Sequence, residues 1–262
     1  MSGAVWTVDR AAEVLLEAER VRQARGPITE EWPELDLDTA YRVQDELLRR
    51  KRAAGERVVG VKLGLTSRAK QRRMGVDSPL TAWITDAMVL PIGEPVPVGE
   101  LIHPRVEPEL VFVMGERLFG PGITAARAMA AVASVHAGLE VIDSRYADFR
   151  FALPDVVADN ASSARFVVGG VAADPRTLDL AMEACLLEVD GRVADSATGA
   201  AVQGHPAEAL ALAANSLGER GIAIEQGWLV LTGGMTDAVN IGPGTSVVGR
   251  FTHLGTVALQ GV

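Results

Sequence analysis

The chain carries one cysteine among its 262 residues. Cys185 therefore has no partner for an internal disulfide and cannot build a thiolate zinc centre; its apolar neighbours mark it as a small buried hydrophobe. A basic excess is also missing. Lys and Arg total 25 against 34 Asp and Glu, a formal net charge of −9, so nothing global attracts nucleic acid or an anionic membrane. No apolar run approaches the ~18 to 20 residues that cross a bilayer, and Met1–Trp6 has no basic segment followed by an apolar core. A cytoplasmic, non-membrane protein in a reducing compartment is expected. Internal repeats, heptads and low-complexity stretches are absent as well, which leaves a 48% hydrophobic chain, enough for a well-buried core.

What is present divides near residue 95. In residues 1–95 the spacing of Ala11, Val14, Leu15, Ala18 and Val21 predicts an amphipathic helix stopped by Gly26-Pro27. A second helix is expected from Asp38 to Gly55, with Arg49, Arg50, Lys51 and Arg52 in its last turns, where cations suit the carbonyl end of the dipole. Arg57–Gly64 reads as the one strand of this part, and Thr66-Ser67 as the cap of a short helix ending at Gly75. Residues 96–262 are punctuated by Pro and Gly into short β-rich runs, at 106–113, 164–168, 185–189, 228–231 and 247–251, with a hairpin turn at Asp190-Gly191. Two helices interrupt them, one from a Thr124 cap to Gly138 and one from Pro206 to Gly221. Strands and helices do not alternate regularly enough for an eightfold barrel. The expected class is α+β, a helical N-terminal subdomain with one strand packed on a β-rich catalytic domain with a mixed sheet.

The clearest anomaly is Arg105-Val106-Glu107-Pro108-Glu109-Leu110-Val111. On a strand, Glu107 and Glu109 point where Val111 points, so either the strand end is a solvated sheet edge or something positive compensates two buried carboxylates. Glu140, in Gly138–Asp143, offers a third. Three carboxylates with open water positions suit Mg²⁺ or Mn²⁺, hard cations that prefer oxygen, and suit zinc poorly. The four histidines lack His-x-x-x-His spacing and read as structural or exposed. Lys62, inside an apolar strand between Gly60 and Gly64, either snorkels to the edge or meets carboxylates and a ligand. The surrounding glycines are no phosphate loop, because the Gly-Lys-Ser/Thr order is missing. Asp159–Arg165 is either a plain polar turn or a carboxylate-binding segment. No Gly-x-Ser-x-Gly nucleophile elbow occurs.

Gly-Val-Lys-Leu-Gly-Leu-Thr-Ser at 60–67, Arg-Val-Glu-Pro-Glu at 105–109, Leu-Glu-Val-Ile-Asp-Ser-Arg at 139–145 and Ala-Asp-Asn-Ala-Ser-Ser at 158–163 occur in this order. Together, over nearly the whole chain, they resemble the hydratase/decarboxylase family of meta-cleavage pathways, related to fumarylacetoacetate hydrolase. The resemblance implies a fumarylacetoacetate hydrolase-like fold and a metal site of Glu107, Glu109 and Glu140 holding Mg²⁺ or Mn²⁺. It also implies a catalytic Lys62 at the reacting end of the substrate, near its distal carboxylate, and substrate contacts from Ser162, Ser163 and Thr66.

Two family activities compete, decarboxylation of 2-oxo-3-hexenedioate and hydration of 2-oxopent-4-enoate. Segments 144–154, 103–104 and 232–239 resemble the decarboxylase branch. The Pro-Asp-aromatic-Gly segment common in hydratases is replaced by Ser78-Pro79-Leu80-Thr81. The expected reaction is metal-dependent decarboxylation of a small 2-oxo dicarboxylic acid to 2-hydroxypenta-2,4-dienoate in aromatic catabolism. A homo-oligomer, and a complex with 2-oxopent-4-enoate hydratase, are the implied partners. A second alternative is a non-catalytic subunit that stabilises such a hydratase.

Overall fold

The computed structural model describes residues 5–68, 71–72, 75 and 79–262. The short helix expected between Thr66 and Gly75 includes residues outside this set, as does Ser78 of the hydratase comparison.

The N-terminal part forms α1 (Val8–Val21), the single turn α2 (Ile28–Glu31) and α3 (Leu37–Ala53). Thr7 caps α1 by accepting from the Arg10 amide, and Asp36 caps α3 by accepting from Thr39 at 2.8 Å. Their apolar stripes, including Ala11, Leu15, Ala40, Val43 and Leu47, bury against Tyr146 and Val156–Ala158 as a helical layer with its own core.

Among the described residues, eleven strands make two sheets. The larger has the order β2 (Leu80–Thr85), β1 (Val58–Gly64), β8 (Leu229–Leu231), β3 (Arg105–Met114), β4 (Val132–Ile142) and β5 (Ser163–Val168), with β9 (Val239–Asn240) also pairing with β3. Only β1 and β8 run parallel; the other pairs are antiparallel. The smaller sheet has the order β11 (Gly255–Gln260), β10 (Ser246–Phe251), β6 (Ala184–Val189) and β7 (Arg192–Thr198). The alternation of Leu110 and Phe112 on β3 with Val135, Ala137, Leu139 and Val141 on β4 buries one face of the large sheet against Leu187, Val247 and Val257 of the small one. Burial pushes the Cys185 thiol up to about 12, as suits a packing residue. The other face of the large sheet carries the polar anomalies. Two short helices, α4 (Ala125–Ala130) and α5 (Leu153–Ala158), and the longer α6 (Pro206–Glu219) fill the connections.

Two expectations are corrected. Residues 1–95 hold two strands, because Leu80–Thr85 pairs along β1 over its length. The Ala-rich helix ends at Ala130, well before Gly138; from Val132 the inward residues alternate with period two and the chain joins β3 as a strand.

Candidate functional site

Strand register assembles the site. Glu107 lies directly opposite Glu140 across the β3–β4 ladder, and Glu109 opposite Gly138. A pleated strand sends alternate residues to one side, so Glu107, Glu109 and Glu140 emerge on the face that does not meet the small sheet. Lys62 reaches the same face from β1, where it pairs with Leu231 of β8, itself opposite Val111 of β3. β3 is an interior strand, flanked by β4 on one side and by β8 and β9 on the other. The solvated-edge alternative for the two glutamates is thereby excluded, and Lys62 does not snorkel: it is 3% exposed.

Carboxylate oxygens of Glu107, Glu109 and Glu140 all lie within 4.8 Å of one another. The Lys62 ammonium sits 3.1 Å from Glu140 Oε1 and donates to Oε2 at 3.2 Å. Among the described residues, three carboxylates thus gather round the Lys62 ammonium in a mostly buried place. Burial, reinforced by Glu140 and Glu107, pushes the Glu109 carboxyl well above its ordinary pKa despite Lys62. Burial alone would lower the Lys62 ammonium, yet Glu140, Glu107 and Glu109 outweigh it and hold the pKa above the ordinary value, so the side chain stays charged. Glu109 Oε2 accepts from the Gly233 amide at 2.7 Å, while its other oxygen, Oε1, is buried without a hydrogen-bond partner. A buried carboxylate oxygen left in that state is costly. An all-oxygen donor set and a buried carboxylate oxygen without a hydrogen-bond partner fit a hard divalent cation.

The cluster opens into a cavity of about 180 Å³ lined by Lys62, Leu65, Thr66, Glu107, Ile142, Phe149, Phe151, Val156, Ala161, Ser162 and Gly234, among others. Its polar end is thus the carboxylate cluster and its outer part is apolar. Ser162 belongs to a run, Asn160-Ala161-Ser162, in which all three non-glycine residues have positive φ (49°, 48° and 58°). Such strain persists only where surroundings enforce it. Asn160 is clamped to the Trp83 backbone, accepting from its amide at 2.8 Å and donating to its carbonyl at 2.9 Å. Below the run, buried Asp159 pairs with Arg145 and accepts from the Ser162 and Ser144 hydroxyls at 3.3 and 3.4 Å. Burial raises the Asp159 carboxyl to about 6, against the lowering pull of Arg145.

The sequence-derived site is mostly reassembled here. Glu107, Glu109, Glu140, Lys62, Thr66 and Ser162 meet around one space. Ser163 does not join them: its hydroxyl donates to the Asn160 carbonyl at 2.8 Å and its side chain lines a separate crevice with Glu19, Lys51 and Arg145. The left-handed turn at Asn160–Ser162 ends between the two serines, which is why only one of the pair faces the cavity. Lys62 meets the carboxylates, one of the two alternatives that its strand position leaves open. The histidines serve the frame: His103 contacts the Ser144 carbonyl, His136 the Gly169 carbonyl, His205 caps α6 and His253 pairs with Glu183.

Of segment 232–239, the decarboxylase-branch marker, Gly234 lines the cavity and Gly233 packs against Thr66. A Cβ on Gly233 would lie 2.1 Å from Thr66 Oγ1, and one on Gly234 2.1 Å from Glu107 Oε2. The Gly-Gly pair after a strand was the available signal.

A sheet face that gathers carboxylates and a lysine at the bottom of a small cavity defines an enzyme-like acidic metal pocket. The chain belongs to the fumarylacetoacetate hydrolase family, whose C-terminal domain profile matches residues 57–260. It is 42% identical over 254 residues to 4-oxalocrotonate decarboxylase of Pseudomonas sp. (strain CF600), covering 95% of this chain and 96% of that protein. It is 37% identical over 255 residues to 2-hydroxyhexa-2,4-dienoate hydratase of Comamonas testosteroni, covering 97% of each. Among solved structures it resembles 4-oxalocrotonate decarboxylase from Pseudomonas putida G7, complexed with magnesium and adipate, with a TM-score of 0.95 and 40% identity over 99% of this chain and 100% of that one.

Proposed function

We propose that this protein is a metal-dependent carboxy-lyase that converts 2-oxo-3-hexenedioate, also called 4-oxalocrotonate, to 2-hydroxypenta-2,4-dienoate in the meta-cleavage breakdown of aromatic compounds. The observation that carries the reading is the buried cluster of Glu107, Glu109 and Glu140 with Lys62 3.1 Å from Glu140. The decarboxylase relatives and the Mg²⁺ and six-carbon dicarboxylate bound by one of them support it.

Glu107, Glu109 and Glu140 would hold Mg²⁺ or Mn²⁺. The bound cation supplies Lewis acidity toward the 2-oxo carboxylate end of the substrate, so no organic cofactor is required. The rest is done by the chain. Breaking the C5–C6 bond releases CO₂, and its electron pair forms C4=C5, shifts C3=C4 to C2=C3 and arrives on the 2-oxo oxygen. The product is a 2-hydroxy compound, so a proton must reach that same oxygen. Lys62, charged and at this end of the cavity, is placed to hydrogen-bond the developing oxyanion and give it the proton from Nζ. Ser162 and Thr66 line the path of the carbon chain as polar contacts. Leu65, Phe149, Phe151 and Val156 exclude water around the departing carboxylate. In this reading residues 1–95 contribute the lysine and residues 96–262 the carboxylates; the protein works in the cytoplasm, self-associates and hands its unstable enol to a hydratase.

The test is CO₂ release from 2-oxo-3-hexenedioate by chelator-treated protein with and without added Mg²⁺. Metal-dependent release is expected, and Lys62→Met should lower kcat by about 10² to 10⁴ while Mg²⁺ still stabilises the fold. Hydration of 2-oxopent-4-enoate without CO₂ release would instead place the chain on the hydratase branch. Inactivity with both substrates, joined to rescue of a co-expressed hydratase, would make it a stabilising subunit.

A further inference from the structure

The proposed substrate is a dianion, and the Lys62 ammonium is already engaged by Glu140. Arg105 begins β3 two residues before Glu107, so its side chain leaves the sheet on the same face. Its guanidinium stands 4.1 Å from the centroid of the Phe149 ring, and that ring lines the cavity. Across the ladder its partner is Ile142, another cavity residue. Arg105 is half-buried and has no carboxylate partner among the described residues. Lying over the ring engages the guanidinium's face, and planar recognition of a carboxylate uses its N–H edge.

The lengths agree. Two residues of strand separate Arg105 from Glu107 by about 7 Å, and the four bonds from C2 to C6 of the substrate span roughly 5 Å when extended. We propose that Arg105 binds the distal carboxylate and makes the site selective for 2-oxo dicarboxylic over 2-oxo monocarboxylic acids; this rests on the decarboxylase reading above. During the reaction negative charge leaves that carboxylate for the 2-oxo oxygen. A cation at the distal end therefore favours bound substrate over the transition state, so loss of Arg105 raises KM and does not lower kcat.

The experiment compares two unreactive probes, 2-oxoadipate and 2-oxohexanoate, which differ in having or lacking the distal carboxylate. Binding is measured by calorimetry in excess Mg²⁺, beside the CO₂ assay. Wild-type protein should bind 2-oxoadipate about 10- to 100-fold more tightly, the range of a charge-assisted hydrogen-bonded pair. Arg105→Gln should bring the two affinities together by weakening 2-oxoadipate alone, and Arg105→Lys should restore part of the preference. In turnover Arg105→Gln should raise KM with kcat unchanged or higher, and Mg²⁺ should still raise its melting temperature. An unchanged preference in Arg105→Gln, equal loss of both probes, or a fall in kcat at constant KM overturns the assignment. A wild-type preference abolished by Arg105→Gln, with no CO₂ released by either protein, supports the assignment and overturns the decarboxylase reading instead.

Discussion

Replacing Glu109 with Gln should stabilise the metal-free protein and remove its response to metal. Glu109 is buried, and one of its oxygens lies within 4.8 Å of one oxygen of each of the other two glutamates. Two like charges at that separation repel by about 3.5 kcal/mol at an effective dielectric constant of about 20. Glu109 meets two such repulsions and one attraction of similar size, to Lys62, which leaves a net cost of up to about 3 kcal/mol, less whatever its raised pKa lets the carboxyl relieve by taking up a proton. Glutamine removes it, and its amide oxygen keeps the place of the atom that accepts from Gly233 at 2.7 Å. For a chain of this size the full gain corresponds to roughly 6 to 12 °C in melting temperature. Mg²⁺ at a hundred times its dissociation constant should stabilise the wild type by about 2.7 kcal/mol and the variant far less. Thermal unfolding of both proteins in EDTA and in Mg²⁺ measures all four states. A variant that melts below the wild type in EDTA, or gains as much from Mg²⁺, would refute the electrostatic reasoning.

Further outcomes follow from the same geometry. Gly234→Ala forces its Cβ against Glu107 Oε2 and should weaken Mg²⁺ binding by about 10- to 100-fold in calorimetry; unchanged affinity would show that the contact is slack. Ser162→Ala should raise KM by roughly 5- to 10-fold, whereas Ser163→Ala should leave kinetics intact and cost about 1 kcal/mol of stability through the lost bond to Asn160. The reverse pattern would reinstate Ser163 at the substrate. Asp159 has a folded pKa of about 6 against an ordinary 3.8, so between these values the folded chain holds a proton that the unfolded chain has released. Its contribution to stability therefore falls as pH rises from about 4 to about 6 and is level above. Urea unfolding across this range should show the slope in wild type and its loss in Asp159→Asn; parallel profiles would remove Asp159 as its source.

How far the sequence reveals the molecule depends on the range of the interaction involved. Glu107 and Glu109 announced themselves because strand alternation is local: two acids in register with Val111 are visible in five residues. The α1 and α3 helices and the Asp190-Gly191 turn are legible for the same reason, being set by nearest-turn spacing and caps. The Ala-rich segment misled because alanine favours helix until a partner strand is available, and β3 supplies that partner from twenty residues upstream. β2 was missed because its pattern of full burial, between β1 and the helical layer, has no alternation to read. Lys62 was assigned to the site through family resemblance, but its position among the carboxylates depends on β8 lying between β1 and β3, a fact of topology with no local signature. Ser162 and Ser163 separate only through the left-handed turn at 160–162, which Asn160 and Trp83 hold from 77 residues apart.

The parallel seam between β1 and β8 joins the lysine-bearing strand to the catalytic sheet, with β2 outside it. A fragment beginning at residue 96 would lose both outer strands and bare the backbone of β8 as a ready template for intermolecular pairing. The division seen in the sequence near residue 95 therefore marks a change of texture and not a place to cut: excising the β-rich part would yield a sticky, lysine-free sheet in place of a minimal enzyme.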